Sequence, residues 1–363
     1  RSTLFPYTTL FRSQPLSKMI VDANMYWVPE SLFTSEEVLA RFVAEAPQDE
    51  NTRVYLKEGD GVRQVIVEKP AGYEALNYAQ GDYVLESMLA DMDEAGVDVA
   101  VLKVPGANEW MSLETCRFFN DGMAGYARRS DGRMVPLAVI PALDFTTEAV
   151  AEVDRCMGEL GFAGVQLCSH YGDKYLDDSA FAPLFESLDK HGATVYVHHV
   201  PVPVDFSSIV AYNNLRRSYG RVQDQVTAVG RELFSDFFER YPHIRMVHSM
   251  LGGAFFAVSE MLLPKSSKRA DAVQRFQTDN GELAKRLSEH VFFEMSHAQP
   301  WGRAQLRCAI EVLGADHVVF GTSYPVRREW LLDGPDAVRD LGLAAFDEEL
   351  ILGGNAQRLY RIG

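Results

Sequence analysis

Thr194-Val195-Tyr196-Val197-His198-His199 is a short β-branched run that ends in two imidazoles. Parallel strands covered on both faces read as apolar runs of this kind, and in α/β folds the residues just past their carboxyl ends line the ligand crevice. Adjacent strand residues point to opposite faces. At least one of His198 and His199 is therefore expected to face a pocket, while the other can be a core or loop histidine.

Working outward from this run, the same alternation recurs. Upstream, strands are expected at 19–23, 97–104, 134–140 and 164–168, and downstream at 244–248, 290–294 and 317–321. Helical spacing separates them at 82–95, 112–128, 146–160, 179–191 and 222–241, from about 253, and at 302–314. In the first of these helices Val84, Leu85, Met88, Leu89 and Met92 share one side, and Gly96 stops it. Eight strands, each followed by helical sequence, argue for a closed (β/α)8 TIM-type barrel of the α/β class rather than an open sheet. Two insertions break the rhythm: 31–81, with a helical piece at 35–46 and a hairpin around Glu58-Gly59-Asp60-Gly61, and 201–221. Insertions this long are expected to be lids or interfaces. Residues 3–13 read like a translated sequencing adapter, so 1–18 are expected to be a non-native or disordered extension and 19–363 a single domain.

Composition narrows the function classes. The chain has 363 residues, 47% hydrophobic and 24% charged, enough for a large core, and no apolar run approaches the roughly 18 residues that cross a bilayer. A cytoplasmic protein with no membrane partner is expected. The four cysteines lack a C-x-x-C pair, which indicates neither a zinc ribbon nor a disulfide framework. A formal charge of −16 disfavours nucleic acid, although a local basic pocket can still draw in a small anionic substrate.

Because a barrel draws its catalytic groups from the carboxyl ends of several strands, those positions form one candidate set. They are Asn24 and Tyr26, Lys103, Gln166 and His170, His198 and His199, His248, Glu294 and His297, and Ser323 and Tyr324. Lys103, inside Val99-Ala100-Val101-Leu102-Lys103-Val104-Pro105, is either near the mouth or expensively buried. It is expected to pair with Glu294 or a loop carboxylate, to anchor an anion, or to be an amine of lowered pKa. One arginine of each doublet, Arg217 and Arg327, is a further carboxylate anchor, and Trp27 belongs to an aromatic load near the lids that suits a flat ligand or simple core packing.

Several segments carry a resemblance. They are the run from Val21-Asp22-Ala23-Asn24-Met25-Tyr26-Trp27 to Val28-Pro29-Glu30, Gly164-Val165-Gln166-Leu167, Leu176-Asp177-Asp178 and Val197-His198. Further along come Phe237-Phe238-Glu239-Arg240-Tyr241-Pro242, Val247-His248-Ser249-Met250-Leu251-Gly252-Gly253 and Phe320-Gly321-Thr322-Ser323-Tyr324-Pro325. From residue 19 to the end the chain resembles the amidohydrolase superfamily, in particular its branch of aminocarboxymuconate semialdehyde, resorcylate and carboxyvanillate decarboxylases. The resemblance implies a barrel, a small aromatic or unsaturated carboxylate as substrate, and a homodimer.

The departures bear on the chemistry. The family pattern opens with His-x-His as metal ligands where this chain has Asn24-Met25-Tyr26, and it carries an aspartate where this chain has Ser323. His198 and His248 alone make a poor zinc site, which wants three or four ligands. No cofactor is expected, with zinc or manganese on His198, His248 and Glu294 as the alternative. Without a metal, histidine acid/base chemistry favours a decarboxylase-type lyase over hydroxide-dependent hydrolysis. His198 or His248 would carry the proton, Tyr26, Tyr324 and Ser323 would orient the substrate, and Asn24, Gln166, His170 and His297 would line its site. Two other readings stay open: a metal-independent hydrolase of a lactone, ester or amide, and a ligand-binding barrel without catalysis.

Overall fold

The computed structural model of the protein describes residues 18–48, 52–59, 61–141, 147–263, 280–296 and 298–363. Eight parallel strands, Val21–Tyr26, Val99–Lys103, Met134–Val139, Gly164–Cys168, Thr194–His198, Arg245–His248, Val291–Glu294 and Val318–Val319, pair in chain order. They are called the first to eighth barrel strands below. Past the eighth, Ala23 N donates to Phe320 O, Ser323 N to Asn24 O and Tyr26 N to Tyr324 O, which draws the last strand's end back onto the first. With helices around it, this is the (β/α)8 barrel that the alternation implied. The expected extension at 1–18 falls almost wholly outside the described residues, and among those described no helix is long and apolar enough to cross a membrane.

Strand alternation sorts the apolar residues into two sets. Val21, Val99, Val101, Leu137, Tyr196, Val247 and Val319 fill the barrel interior, joined from below by Leu359 and Tyr360 of the C-terminal helix Asn355–Tyr360. Their strand neighbours, such as Val195, Val197 and Met246, pack outward against the helices. A period of two then fixes what reaches the mouth. Tyr196 and His198 share the interior parity of the fifth strand, whereas Val247 is the interior residue of the sixth, which turns His248 the other way.

The first insertion is a lid. Helices Ser31–Thr34 and Glu36–Glu45 precede a three-stranded antiparallel sheet, Arg53–Gly59, Val62–Glu68 and Glu74–Ala79, so the expected hairpin gains a third strand. Tyr78 Oη donates to Pro105 O and clamps this sheet to the loop after the second barrel strand. The second insertion ends in a wide helical turn, Leu215–Tyr219, that runs into helix Gly220–Phe234. Arg217 Nη1 donates to Glu74 O at 2.9 Å, so the two insertions meet. The helix expected at 222–241 breaks after Phe234, with a separate turn at Phe237–Arg240. Helix Met250–Leu262 opens with Leu251 to Ala254 in the left-handed region, where Gly253 is required because a Cβ would lie 2.1 Å from Val222 O.

Two expected outcomes follow from this packing. Gly164 faces Thr194 across the fourth and fifth strands, and a Cβ there would fall 2.1 Å from Thr194 O. Gly164→Ala must push two core strands apart, and urea unfolding should show a loss of about 2 kcal/mol or more, the scale of core overpacking. Asp22, fully buried on the first strand, accepts from Asn24 N and from the backbone and hydroxyl of Thr322. Burial pushes its carboxyl up to about 7 despite those hydrogen bonds. A group raised in the folded state costs nothing below the unfolded value, where both states are protonated, and costs progressively more as pH rises to the folded value. Asp22→Asn should therefore gain on the parent protein between pH 4 and pH 7, by on the order of 3–4 kcal/mol at most. Urea midpoints that keep a constant gap over that range would contradict it.

Candidate active site

At the carboxyl ends of the first, fifth and seventh strands a closed polar cluster surrounds Glu294. Asn24 Nδ2 lies 2.9 Å from Tyr196 Oη, 3.0 Å from Glu294 Oε2, 2.5 Å from Ser296 Oγ and 3.1 Å from Ser323 Oγ. Glu294 Oε2 also accepts from Tyr196 Oη at 2.7 Å and Ser296 Oγ at 2.6 Å, and its Oε1 accepts from Ser296 N. Gly321 leaves room for this carboxyl, since a Cβ there would lie 2.0 Å from Oε1. Burial pushes the Glu294 carboxyl up, and the Ser296 hydroxyl and Lys103 restrain it. Asn24 Oδ1 is the buried atom of this cluster with no partner.

Lys103, on the interior parity of the second strand, is fully buried. Its Nζ has no hydrogen-bond acceptor and sits 4.3 Å from the Tyr26 ring centroid and 4.0 Å from that of Tyr196. Burial holds the amine well below its usual range, with Glu294 and Asp22 pulling the other way. Of the sequence readings of Lys103, the direct carboxylate pair is not formed, and burial lowers its amine.

Above this cluster stands the imidazole pair. His198 Nδ1 lies 2.8 Å from His199 O, which can only accept, so Nδ1 carries the hydrogen. His198 Nε2 therefore accepts from Tyr26 Oη at 2.9 Å. Burial raises the Tyr26 hydroxyl well above the usual phenol range and keeps it protonated at neutral pH. The His199 ring stacks on that of His198 with centroids 4.4 Å apart, and Ser249 Oγ lies 3.2 Å from its Nδ1 while accepting from His199 N at 3.1 Å.

Both histidines line a narrow cleft. Val67 and Leu76 of the lid sheet line it together with Gly106, Trp110, Val200 and Arg221. Lys69 and Glu109, also in the lining, pair with each other at 2.5 Å. Arg221 lines the cleft with a buried Nε that has no acceptor. Burial and the neighbouring Arg217 lower its guanidinium only to about 10, so it is charged at neutral pH.

Several expected site residues point elsewhere. His248 faces helix Gly220–Phe234: its Nδ1 lies 3.0 Å from Gln225 Oε1 and its Nε2 2.9 Å from Glu232 Oε2, with the ring fully buried. The reason is the parity of the sixth strand. Tyr324 Oη donates to Asp91 Oδ2 on helix Leu85–Ala95, which Arg328 also holds. Gln166 is spent on the backbone, its Oε1 accepting from Val104 N and its Nε2 donating to Val104 O. His170 faces the carbonyls of Gly172 and Val202. Trp27 packs against Phe119 and Tyr126. Arg217 bonds the lid backbone and Arg327 pairs with exposed Glu329. His297 lies outside the described residues. Arg221, Leu76, Lys69 and Glu109 were not expected; of these only Arg221 carried a signal, as the last residue of the second insertion.

The donor set does not fit a metal ion. His248 is turned away, both ring nitrogens of His198 are engaged, and donors ring Glu294. Among the described residues no group of three or more His, Cys, Asp or Glu side chains is placed to hold one.

The chain's similarities agree with this architecture. It is 25% identical over 289 residues to gamma-resorcylate decarboxylase of a Polaromonas species, covering 75% of this chain and 85% of the relative. It is 24% identical to 2-amino-3-carboxymuconate-6-semialdehyde decarboxylase of Dictyostelium discoideum over 274 residues, 74% of each. The crystal structure of 5-carboxyvanillate decarboxylase from Sphingomonas paucimobilis superposes with a TM-score of 0.70 at 22% identity, covering 96% of this chain and all of that one. A family model described as amidohydrolase matches residues 66–362. The chain belongs to the amidohydrolase family.

Proposed function

We propose that this protein is a metal-independent carbon–carbon lyase of the decarboxylase type, acting on a small aromatic or conjugated carboxylate. The observation that carries the reading is the Tyr26 Oη to His198 Nε2 hydrogen bond of 2.9 Å beneath a lidded cleft. Loss of carbon dioxide leaves an electron pair on the substrate carbon, which must take up one proton. With His198 protonated, Nε2–H donates to Tyr26 Oη, and the tyrosine hydrogen is released toward that carbon. As Tyr26 gives up its hydrogen it takes the one on His198 Nε2, and the neutral imidazole left behind takes a proton from solvent to restore the starting imidazolium. The similarity to several decarboxylases supports the reaction class. A metal-bound hydroxide for hydrolysis would need ligands that this strand-end set does not bring together.

Incubating the purified protein with a panel of hydroxybenzoic and aromatic dicarboxylic acids should release carbon dioxide and the descarboxy product, and treatment with a chelator should leave the rate intact. Loss of activity on chelation with recovery on adding zinc or manganese would overturn the metal-independent mechanism.

The site also separates catalysis from stability. His198→Gln should lower turnover at least about 100-fold and Tyr26→Phe about 10- to 100-fold, the scale of general acid/base catalysis, with little change in thermal midpoint. His248→Gln breaks a buried pair with Glu232 and should instead cost about 3 kcal/mol of stability while the folded fraction keeps its turnover. Steady-state rates corrected for folded fraction by circular dichroism would distinguish these. A folded His248→Gln protein without turnover would return the proton-carrying role to His248.

A further inference from the structure

One imidazole ties down the second insertion where it begins. His170 stands just past the fourth barrel strand, on a short antiparallel ladder in which His170–Tyr171 pairs with Lys174–Tyr175. Its Nδ1 lies 3.0 Å from Gly172 O and its Nε2 3.0 Å from Val202 O. A carbonyl oxygen can only accept, and a neutral imidazole carries a single N–H. Both hydrogen bonds therefore form together only when the ring holds a hydrogen on each nitrogen. In a neutral ring one nitrogen would turn its lone pair on a carbonyl oxygen and leave that carbonyl without a donor.

The surroundings supply the matching charge. Asp224, fully buried on helix Gly220–Phe234, places Oδ1 3.5 Å from His170 Nε2. Burial pushes that carboxyl up and His170 pulls it down. From the ladder, Tyr175 sets its ring 5.3 Å from that of His170 and donates to Asp224 Oδ1 at 3.1 Å. Arg231, further along the helix, lies over the Tyr175 ring and is held by Asp177 at 2.7 Å. Asp173 and Lys174, at the turn of the ladder, pair with each other at 3.2 Å on the surface. From the insertion, the group that faces the ring is the Val202 carbonyl. The His170 side chain keeps 11% exposure, so it can exchange a proton with solvent.

Val202 directly follows Val200 and Pro201, which line the cleft. The other ties on this stretch are longer: Val200 N reaches Asp224 Oδ2 at 3.3 Å and Val204 N reaches Tyr175 Oη at 3.5 Å. At the far end of the insertion Gly220 packs against Pro201, where a Cβ would come 2.8 Å from Pro201 O. A shift at Val202 thus reaches both ends of the insertion. Gly172 is two residues from His170 and Val202 is 32 away, so a neutral ring keeps the local bond and gives up the distant one.

We propose that His170 is a pH-operated tether for the wall of the cleft: its imidazolium pins the start of the second insertion, and loss of one proton frees the segment 200–221. The tether is in place at low pH and is lost as pH rises through the imidazole's titration. It goes beyond the lyase reading and holds for any ligand the cleft takes.

Hydrogen–deuterium exchange read by mass spectrometry tests this, with each rate divided by the intrinsic chemical rate at that pH and the core strand 134–139 as internal reference. Between about pH 5.5 and about pH 8, where histidine changes its charge, protection of 200–221 in the parent protein should fall at least about 10-fold relative to that strand, the worth of one charge-assisted hydrogen bond. His170→Gln cannot change charge and should show the same low protection throughout. Access to the cleft gives a second readout. Cys168 lines the cleft, and the exposed Cys308 serves as control. The ratio of Cys168 modification by methyl methanethiosulfonate, variant over parent, cancels the thiol's own ionisation. It should be about 10-fold near pH 5.5 and fall to within about twofold near pH 8, with the Cys308 ratio close to one. Protection in the parent that stays flat with pH would overturn the tether, whether or not the variant folds. So would an equal fall in His170→Gln, or a Cys168 ratio that does not change with pH.

Discussion

On most strands a side chain reaches the mouth of this barrel because strand residues alternate between two packed faces, and on the first strand a register shift between Asp22 and Met25 resets that alternation for Asn24 and Tyr26. Once Val99, Val101, Tyr196 and Val247 fill the interior, the parity of each strand's last residue is settled. Lys103 and His198 lie on the interior parity, two residues beyond Val101 and Tyr196. His248, one residue beyond Val247, points to the helices. A one-residue slip would invert the assignment, but it would also expel the interior valines from the core, which burial energy forbids.

Inside that frame the strand ends are held by hydrogen bonds among neutral groups and one carboxyl. The amide of Asn24 occupies the centre of a ring made by Tyr196, Glu294, Ser296 and Ser323. It brings donors to Glu294 where a carboxylate would otherwise sit dry and uncompensated. Lys103 stands beside this cluster with its amine between two tyrosine faces, close enough to feel Glu294 but without an ion pair to it. The result is a rigid polar floor beneath the His198–His199 stack. The same donors that satisfy Glu294 consume the lone pairs a metal ion would need.

Helix Gly220–Phe234 links floor, lid and cleft. Its Asp224 accepts from Ser169, Tyr175 and Val200 N and lies 3.5 Å from His170, gathering the loops after the fourth and fifth strands onto one buried carboxylate. Two turns further on, Glu232 takes His248, and Gln225 between them reaches His248 and the Val197 carbonyl. The helix is thereby anchored to the sheet at three levels. Its first turn is what remains to project, and Arg221 is carried into the cleft by the part of the helix closest to the lid.

The sequence by itself determined the barrel, because β/α alternation and apolar strand runs are local patterns that burial on both faces enforces. It also determined the departures at Asn24, Tyr26 and Ser323 and the pair His198-His199, since strand-end residues can be read from where each apolar run stops. Only the tertiary structure decided which strand-end groups converge. The parity of a four-residue strand such as Arg245–His248 depends on register with its neighbours, and apolar residues on both of its faces leave no alternation to read. Tyr324 and Gln166 were likewise drawn to partners far away in sequence, Asp91 and the Val104 backbone. Arg221 carried only a faint signal in the sequence, as the last residue of an insertion, because an arginine in a helix's first turn is ordinary on a surface. Its meaning arises from the lid sheet folded over it and from the absence, among the described residues, of an acceptor within its reach.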